Sequence, residues 1–299
     1  MSELFDILSP SYVLRNALYG SVMAGMILPL VGSLMYVRRM VFLGVMLPAI
    51  SAAGIAMAIF WHATFHLDTQ HSDFALALMG STVLTTGTLL ILAYLERHGH
   101  VGVDGRIGVL YVLSGAATVL LLASDRIPEA GALSLLQGQI IAISDSDLLL
   151  LTVCLSVILC ILWLFRKELL MVSVDRDLAI SLGKRVWVWD MVLYGIVGCT
   201  VSLGVLIVGP LVTFGFLLLP AMIALRMNVG IWVAPLIAAA VGIAMAFGGF
   251  LASYSLDWPT GPTDIVLGCV MLGGVSLSQW TVQKLKKGKH SVTEPSISS

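Results

Sequence analysis

The sequence predicts an all-α fold, a polytopic transmembrane helix bundle with eight or nine crossings. Three observations carry this expectation. The chain is 59% hydrophobic and only 11% charged, with a mean hydropathy of +1.00, whereas a soluble domain carries about 25% charged residues. Apolar runs long enough to cross a bilayer, about 20 residues each, recur along its whole length. Lysine and arginine collect between alternate runs, as they do on the cytoplasmic side of a membrane protein.

The acidic start MSELFDILSPSYVLRN has neither a basic leader nor a small-residue cleavage pattern, so residues 1–12 are expected as an uncleaved N-terminal segment. Candidate crossings follow at 13–36, 41–61, 74–96, 107–124, 147–165, 187–208, 211–226, 230–254 and 263–283. Residues 132–143 are apolar but too short to cross, and read as re-entrant or interfacial. Gly209-Pro210 interrupts the apolar run that ends at Arg226, so 211–226 is either a full crossing or a broken, re-entrant piece. Together 13–283 form one transmembrane domain, and 284–299 read as a basic stop followed by a flexible cytoplasmic tail.

With nine crossings, Arg38, Arg39, Arg97, Arg106, Arg166, Lys167, Arg176, Lys184, Arg185, Arg226 and the lysines from Lys284 onward share one side, the cytoplasm. The C-terminus is then cytoplasmic in a cell (inner) membrane. Treating 211–226 as re-entrant changes that parity. The net charge of -1 gives no footprint for nucleic acid. Cys154, Cys160, Cys199 and Cys269 lie in apolar runs without a C-x-x-C pair and read as packing residues. Asp104 and Asp264 stand at the edges of crossings, where helix capping is the default role. The apolar-run glycines, Gly195 and Gly198 among them, read as close-packing positions.

The longest cytoplasmic loop holds SVDRDLAISLGKRV, residues 173–186. Asp177 suits a helix cap, Leu178, Ile180 and Leu182 supply apolar contacts, and Gly183 suits a terminator. A short amphipathic helix here would dock a cytosolic partner, and an ordinary polar loop is the competing reading. The chain has no P-loop, no H-E-x-x-H and no G-x-S-x-G. Ionisable residues within the crossings are nearly absent, which argues against an ion-coupled carrier or an intramembrane enzyme. It suits a pore-forming subunit powered by another protein.

Three stretches in order resemble the permeases of the zinc/manganese/iron (ABC-3) family of ABC importers. They are GSLMYVRRMVFLG from Gly32, VDRDLAISLGKRV from Val174 with Asp175, Ala179 and Gly183 in a D-x-x-x-A-x-x-x-G pattern, and GVLIVGPLVTFGFLLLPAMIALRM from Gly204. Looser matches begin at Val103, Leu135 and Asp257. The resemblance covers about residues 10–283. It implies a type II importer-like fold in which 175–183 form the coupling helix, with Asp175, Asp177, Ala179 and Gly183 engaging an ATP-binding ABC subunit. It also implies that Gly204, Gly209, Pro210 and Pro220 belong to a translocation pathway of broken helix. The implied partners are that ATPase, an extracytoplasmic metal-binding protein, membrane lipid and a second permease chain, in a homodimer or heterodimer. No cofactor is implied within the chain, and the transported cargo is a divalent metal, zinc or manganese.

One departure stands out. Family members follow the Phe-Leu-Gly turn with an Asp and, four residues on, a His, a pair placed on one helical face and suited to Zn or Mn. Here Val45 and Ala49 occupy those places, with Pro48 between them as a possible kink. A second chain supplies the ligands, or the pathway carries metal without a side-chain site, or the cargo is a metal chelate or another solute. A carrier or scaffold without any ATPase is the alternative from a different class. Elsewhere, His62, His66, Asp68 and His71 in WHATFHLDTQHSD are candidate metal ligands on the outer side, since His62 and His66 are one helical turn apart. An interfacial polar loop is the plainer reading. His98 and His100 read as a solvated cytoplasmic loop.

Overall fold

The computed structural model describes residues 14–65, 73–98, 103–124, 145–174, 176–227 and 229–290. Every regular element among them is helical. Four long apolar helices come first: α1 (Leu14–Val37), α2 (Val41–Phe65), α3 (Asp73–His98) and α4 (Val103–Leu122). Then α5 (Asp145–Leu164) meets α6 (Arg166–Val174) at a 67° bend. A six-residue α7 (Arg176–Ser181) leads into α8 (Val186–Val208), α9 (Pro210–Arg226), α10 (Ala234–Leu256) and α11 (Thr260–His290). Pro48 lies inside an unbroken α2. The helix α11 continues past 283, where the sequence reading began the flexible tail. The apolar stretch 132–143 lies outside the described residues.

By length and apolar character, seven of these helices suffice to cross a membrane, or eight when the bent α5–α6 pair counts as one span. Eight lies within the expected eight or nine. The segment expected over 211–226 is helical, but Gly209-Pro210 cuts it from α8 and leaves α9 at 17 residues. At 1.5 Å per residue such a helix is about 25 Å long, a little under the hydrocarbon thickness.

Burial divides the bundle into an inner and an outer set. The most apolar stretch of α8 is 78% buried and that of α1 67%, whereas those of α4 and α11 are each 22% buried. Val109, Val112, Leu113 and Leu120 of α4, and Val266, Val270 and Leu277 of α11, are exposed. Helices apolar on every side need either protein or lipid around them. Here α1, α8 and α9 are enclosed by the rest of the chain, while α4 and α11 leave apolar faces for lipid or for another chain.

Small residues let the inner helices touch backbone to backbone. α1 crosses α10 at Gly25 and Gly242, where a methyl added to Gly25 would stand 2.6 Å from the Gly242 carbonyl oxygen. α2 crosses α3 at Gly54 and Gly80, and Ser51 and Ser81 share a buried 2.7 Å hydrogen bond beside that crossing. In lipid, where burial of apolar surface gives helices no reason to associate, such close packing and interhelical hydrogen bonds hold them together.

Basic residues far apart in sequence gather at one end. A cavity of about 220 Å³ is lined by Arg38 and Arg39 after α1, Leu92 and Ala93 late in α3, and Ile107 early in α4. A second, of about 400 Å³, brings Arg166 and Lys167 of α6 beside Leu34 of α1 and Pro235 of α10. Arg226 at the end of α9 hydrogen-bonds Ser276 and Gln279 of α11, the helix that goes on to carry Lys284. This is the grouping that the charge pattern predicts.

Candidate functional site: a short-helix corner and a broken-helix segment

At the basic end, α6, α7 and the start of α8 fold into a small corner with its own apolar centre. Ala179 is fully buried in it, packed with Val172 of α6 and Val186 of α8, and flanked by Met171 and Trp189. Trp189 meets Phe165 edge to face at 5.4 Å. Gly183 ends α7 with a positive φ of 71°. Its N–H donates to the Ile180 carbonyl at 2.9 Å, and the Lys184 N–H reaches back to Ala179 at 3.1 Å. This is the paired hydrogen bonding of a Schellman stop, which favours glycine because the backbone is left-handed there.

With Ala179 turned inward, Leu178, Ile180 and Leu182 are left 50%, 57% and 58% exposed. Among the described residues, about half of each side chain is left uncovered. Asp177 falls inside the first turn of α7 rather than at its cap, and Asp175 lies outside the described residues.

Two residues that sequence reasoning gave no functional part anchor this corner to the bundle. Arg38, just after α1, pairs with Asp190 of α8 at 2.7 Å, with side-chain exposures of only 8% and 12%. Its Nε–H also donates to Ser173 Oγ of α6 at 2.9 Å. The available signal was Asp190 itself, a lone carboxylate in an otherwise apolar helix start, which demands a partner.

The second region is the junction of α8 and α9. Gly209 has φ 84° and ψ 165°, a conformation that side chains avoid, and Pro210 opens α9 at the position where proline costs nothing. Thr213 Oγ1 donates to the Gly209 carbonyl at 2.7 Å. Gly204 is pressed by Leu28 of α1 and Thr213, which a methyl would meet at 2.9 and 3.0 Å. Pro220 is buried within α9, where it withholds one helical N–H. All four residues of the sequence-derived pathway set thus lie in or beside the inner core.

Val45 and Ala49 are half-buried on α2. A shallow groove at the preceding Gly44 is lined by Gly32, Met35, Tyr36, Val41, Gly44, Phe214, Leu217 and Leu218, with neither of the two among them and without an acid or an imidazole. Among the described residues no cluster of three or more His, Cys, Asp or Glu could hold a metal. His62 sits in the last turn of α2 beside a mostly apolar cavity of about 330 Å³, while His66, Asp68 and His71 lie outside the described residues. Asp264 is not a cap. It is the fifth residue of α11, 1% exposed, with Oδ1 unpartnered among the described residues and pressed against Gly249 of α10.

A family model described as the ABC 3 transport family matches residues 11–278. The chain belongs to the ABC 3 transport family. Among relatives, it is 29% identical to the zinc transport system membrane protein TroC of Treponema pallidum, over 90% of this chain and 93% of that protein. It is 25% identical to the manganese import system permease protein ScaB of Streptococcus parasanguinis, over 98% of this chain and 99% of that one. Among solved structures, PsaBC from Streptococcus pneumoniae in complex with Fab shares the fold, with a TM-score of 0.78, 21% identity, and coverage of 92% of this chain and 94% of that chain. The ABC 3 family assignment and the fold agree, and this is a multi-pass membrane permease.

Proposed function

We propose that the chain is the membrane-spanning subunit of a binding-protein-dependent importer for a divalent metal ion, zinc or manganese, driven by ATP hydrolysis in a separate subunit. One observation carries the reading: a short helix at the basic end buries Ala179 and presents Leu178, Ile180 and Leu182 outward. That is a surface shaped to enter a cleft on another protein, on a chain that has no nucleotide-binding loop of its own. The basic end, C-terminus included, faces the cytoplasm, where the ATP-binding subunit docks. An extracytoplasmic binding protein delivers cargo at the opposite end, and a second permease chain completes the pathway. The names of TroC and ScaB support zinc or manganese as the cargo.

A second cargo reading, a metal chelate or another solute, is favoured by one observation. Val45 and Ala49 cannot ligate a cation, and among the described residues no cluster of three or more His, Cys, Asp or Glu could hold one. The deciding experiment is ATP hydrolysis by this chain co-purified with its ATP-binding subunit in lipid, with the binding protein supplied empty or loaded with zinc or manganese. Stimulation by one loaded form identifies the cargo. An assembled complex that neither metal stimulates overturns the metal reading, and failure of any ATP-binding subunit to co-purify overturns the importer reading.

A further inference from the structure

We infer that Arg38 is a strap that makes the coupling corner and α1 move as one body, so that force applied at α7 reaches the α8–α9 break through α1. The inference rests on the importer reading above. The corner has a small apolar centre, Val172, Ala179 and Val186, joined to the main core through Trp189 and through Leu169 and Leu170 of α6. Apolar packing of this kind resists separation but lets surfaces slide. Arg38 adds directional ties to it, its Nη1 to Asp190 at 2.7 Å and its Nε to Ser173 at 2.9 Å.

Both partners are next to α7. Ser173 stands three residues before it, and Asp190 is one turn beyond Val186, whose side chain packs on Ala179. Ser173 in turn donates to the Leu169 carbonyl, so its hydroxyl is fixed as an acceptor toward Arg38. The planar guanidinium fork suits this two-direction hold better than a lysine would. The turn that carries Arg38 is itself rigid: Arg39 is left-handed at φ 59°, and the Met40 N–H returns to the Met35 carbonyl at 3.0 Å.

From Arg38 the path continues along α1. Gly32 lies so close to the Leu217 carbonyl of α9 that a methyl there would overlap it. Leu28 abuts Gly204 and, through it, Thr213, which bonds the Gly209 carbonyl. A displacement of the corner is thereby delivered to both sides of the Gly209-Pro210 break, through a backbone contact at Gly32 and close-packed side chains at Gly204.

The test uses the full complex in lipid and reads zinc and manganese taken up per ATP hydrolysed. Arg38→Gln with Asp190→Asn removes both charges together, which avoids stranding one of them. That double variant should assemble with the ATP-binding subunit and lose at least tenfold in the uptake ratio. The exchange Arg38→Asp with Asp190→Arg should recover part of it, and Arg38→Lys should fall between. An assembled double variant with the wild-type ratio overturns the strap. If the double variant does not assemble, Ser173→Ala, which removes one bond only, decides in its place, and a wild-type ratio there overturns the strap.

Failure of the cargo assignment is read separately. Nitroxide labels at Phe42→Cys and Lys184→Cys, with the four native cysteines replaced, report the distance between the start of α2, directly after the Arg38 turn, and the end of α7. A narrow distribution should persist through ATP addition in the parent and broaden in the double variant, whatever the cargo is. Identical distributions overturn the strap, whereas absence of zinc and manganese uptake in the wild type overturns only the metal reading.

Discussion

Gly209 is where a single side chain decides the most. Its φ of 84° with ψ of 165° is open to glycine and strained for any other residue. Gly209→Ala should cost about 1–3 kcal/mol, read as a lower Tm in detergent, with loss of uptake by the assembled complex. An unchanged Tm would mean that the junction relaxes freely. This break was legible, because Gly-Pro within an apolar run has few other uses. Asp264 was not legible in the same way. A carboxylate near a helix start reads as a cap, and only the packing of α11 on α10 reveals it buried against Gly249. Gly249→Ala would place a methyl onto that carboxylate. It should destabilise by about 1–3 kcal/mol, the cost of overpacking a close contact, and Gly249→Ala with Asp264→Ala should recover much of the loss in the same thermal measurement.

At the scale of an element, α7 separates two jobs that its six residues share. Ala179 holds the helix to the corner, while Leu178, Ile180 and, just beyond it, Leu182 face outward. Ala179→Leu forces a larger side chain between Val172 and Val186. It should lower the Tm by the cost of overpacking, about 1–3 kcal/mol. Leu178→Ser with Ile180→Ser changes exposed positions, so stability should shift by no more than about 0.5 kcal/mol at each, while co-purification with the ATP-binding subunit falls. If that pair lowers the Tm as much as Ala179→Leu does, the outward face is not a docking surface. The A-x-x-x-G spacing of Ala179 and Gly183 made this helix readable. Arg38 and Asp190 could not be read as a pair, because 152 residues separate them and only the approach of α1 to α8 brings them together.

For the whole molecule, hydropathy alone located every long helix, since lipid leaves a spanning backbone no other way to satisfy its hydrogen bonds. Which helices are inner was less visible. α1 and α4 are comparably apolar, yet the first is mostly buried and the second mostly exposed, a difference set by where small residues permit close crossings. The gathering of Arg38, Arg39, Arg166, Lys167 and Arg226 at one end gives the orientation a direct test. A membrane-impermeant maleimide should label Trp61→Cys, near the far end of α2, in intact cells whose chain is otherwise free of cysteine. Lys184→Cys, just past α7, should resist it until the membrane is opened. The opposite pattern would place α7 outside the cell, away from ATP. The corner would then have no ATP-binding subunit to meet, and the importer reading would fall with the orientation.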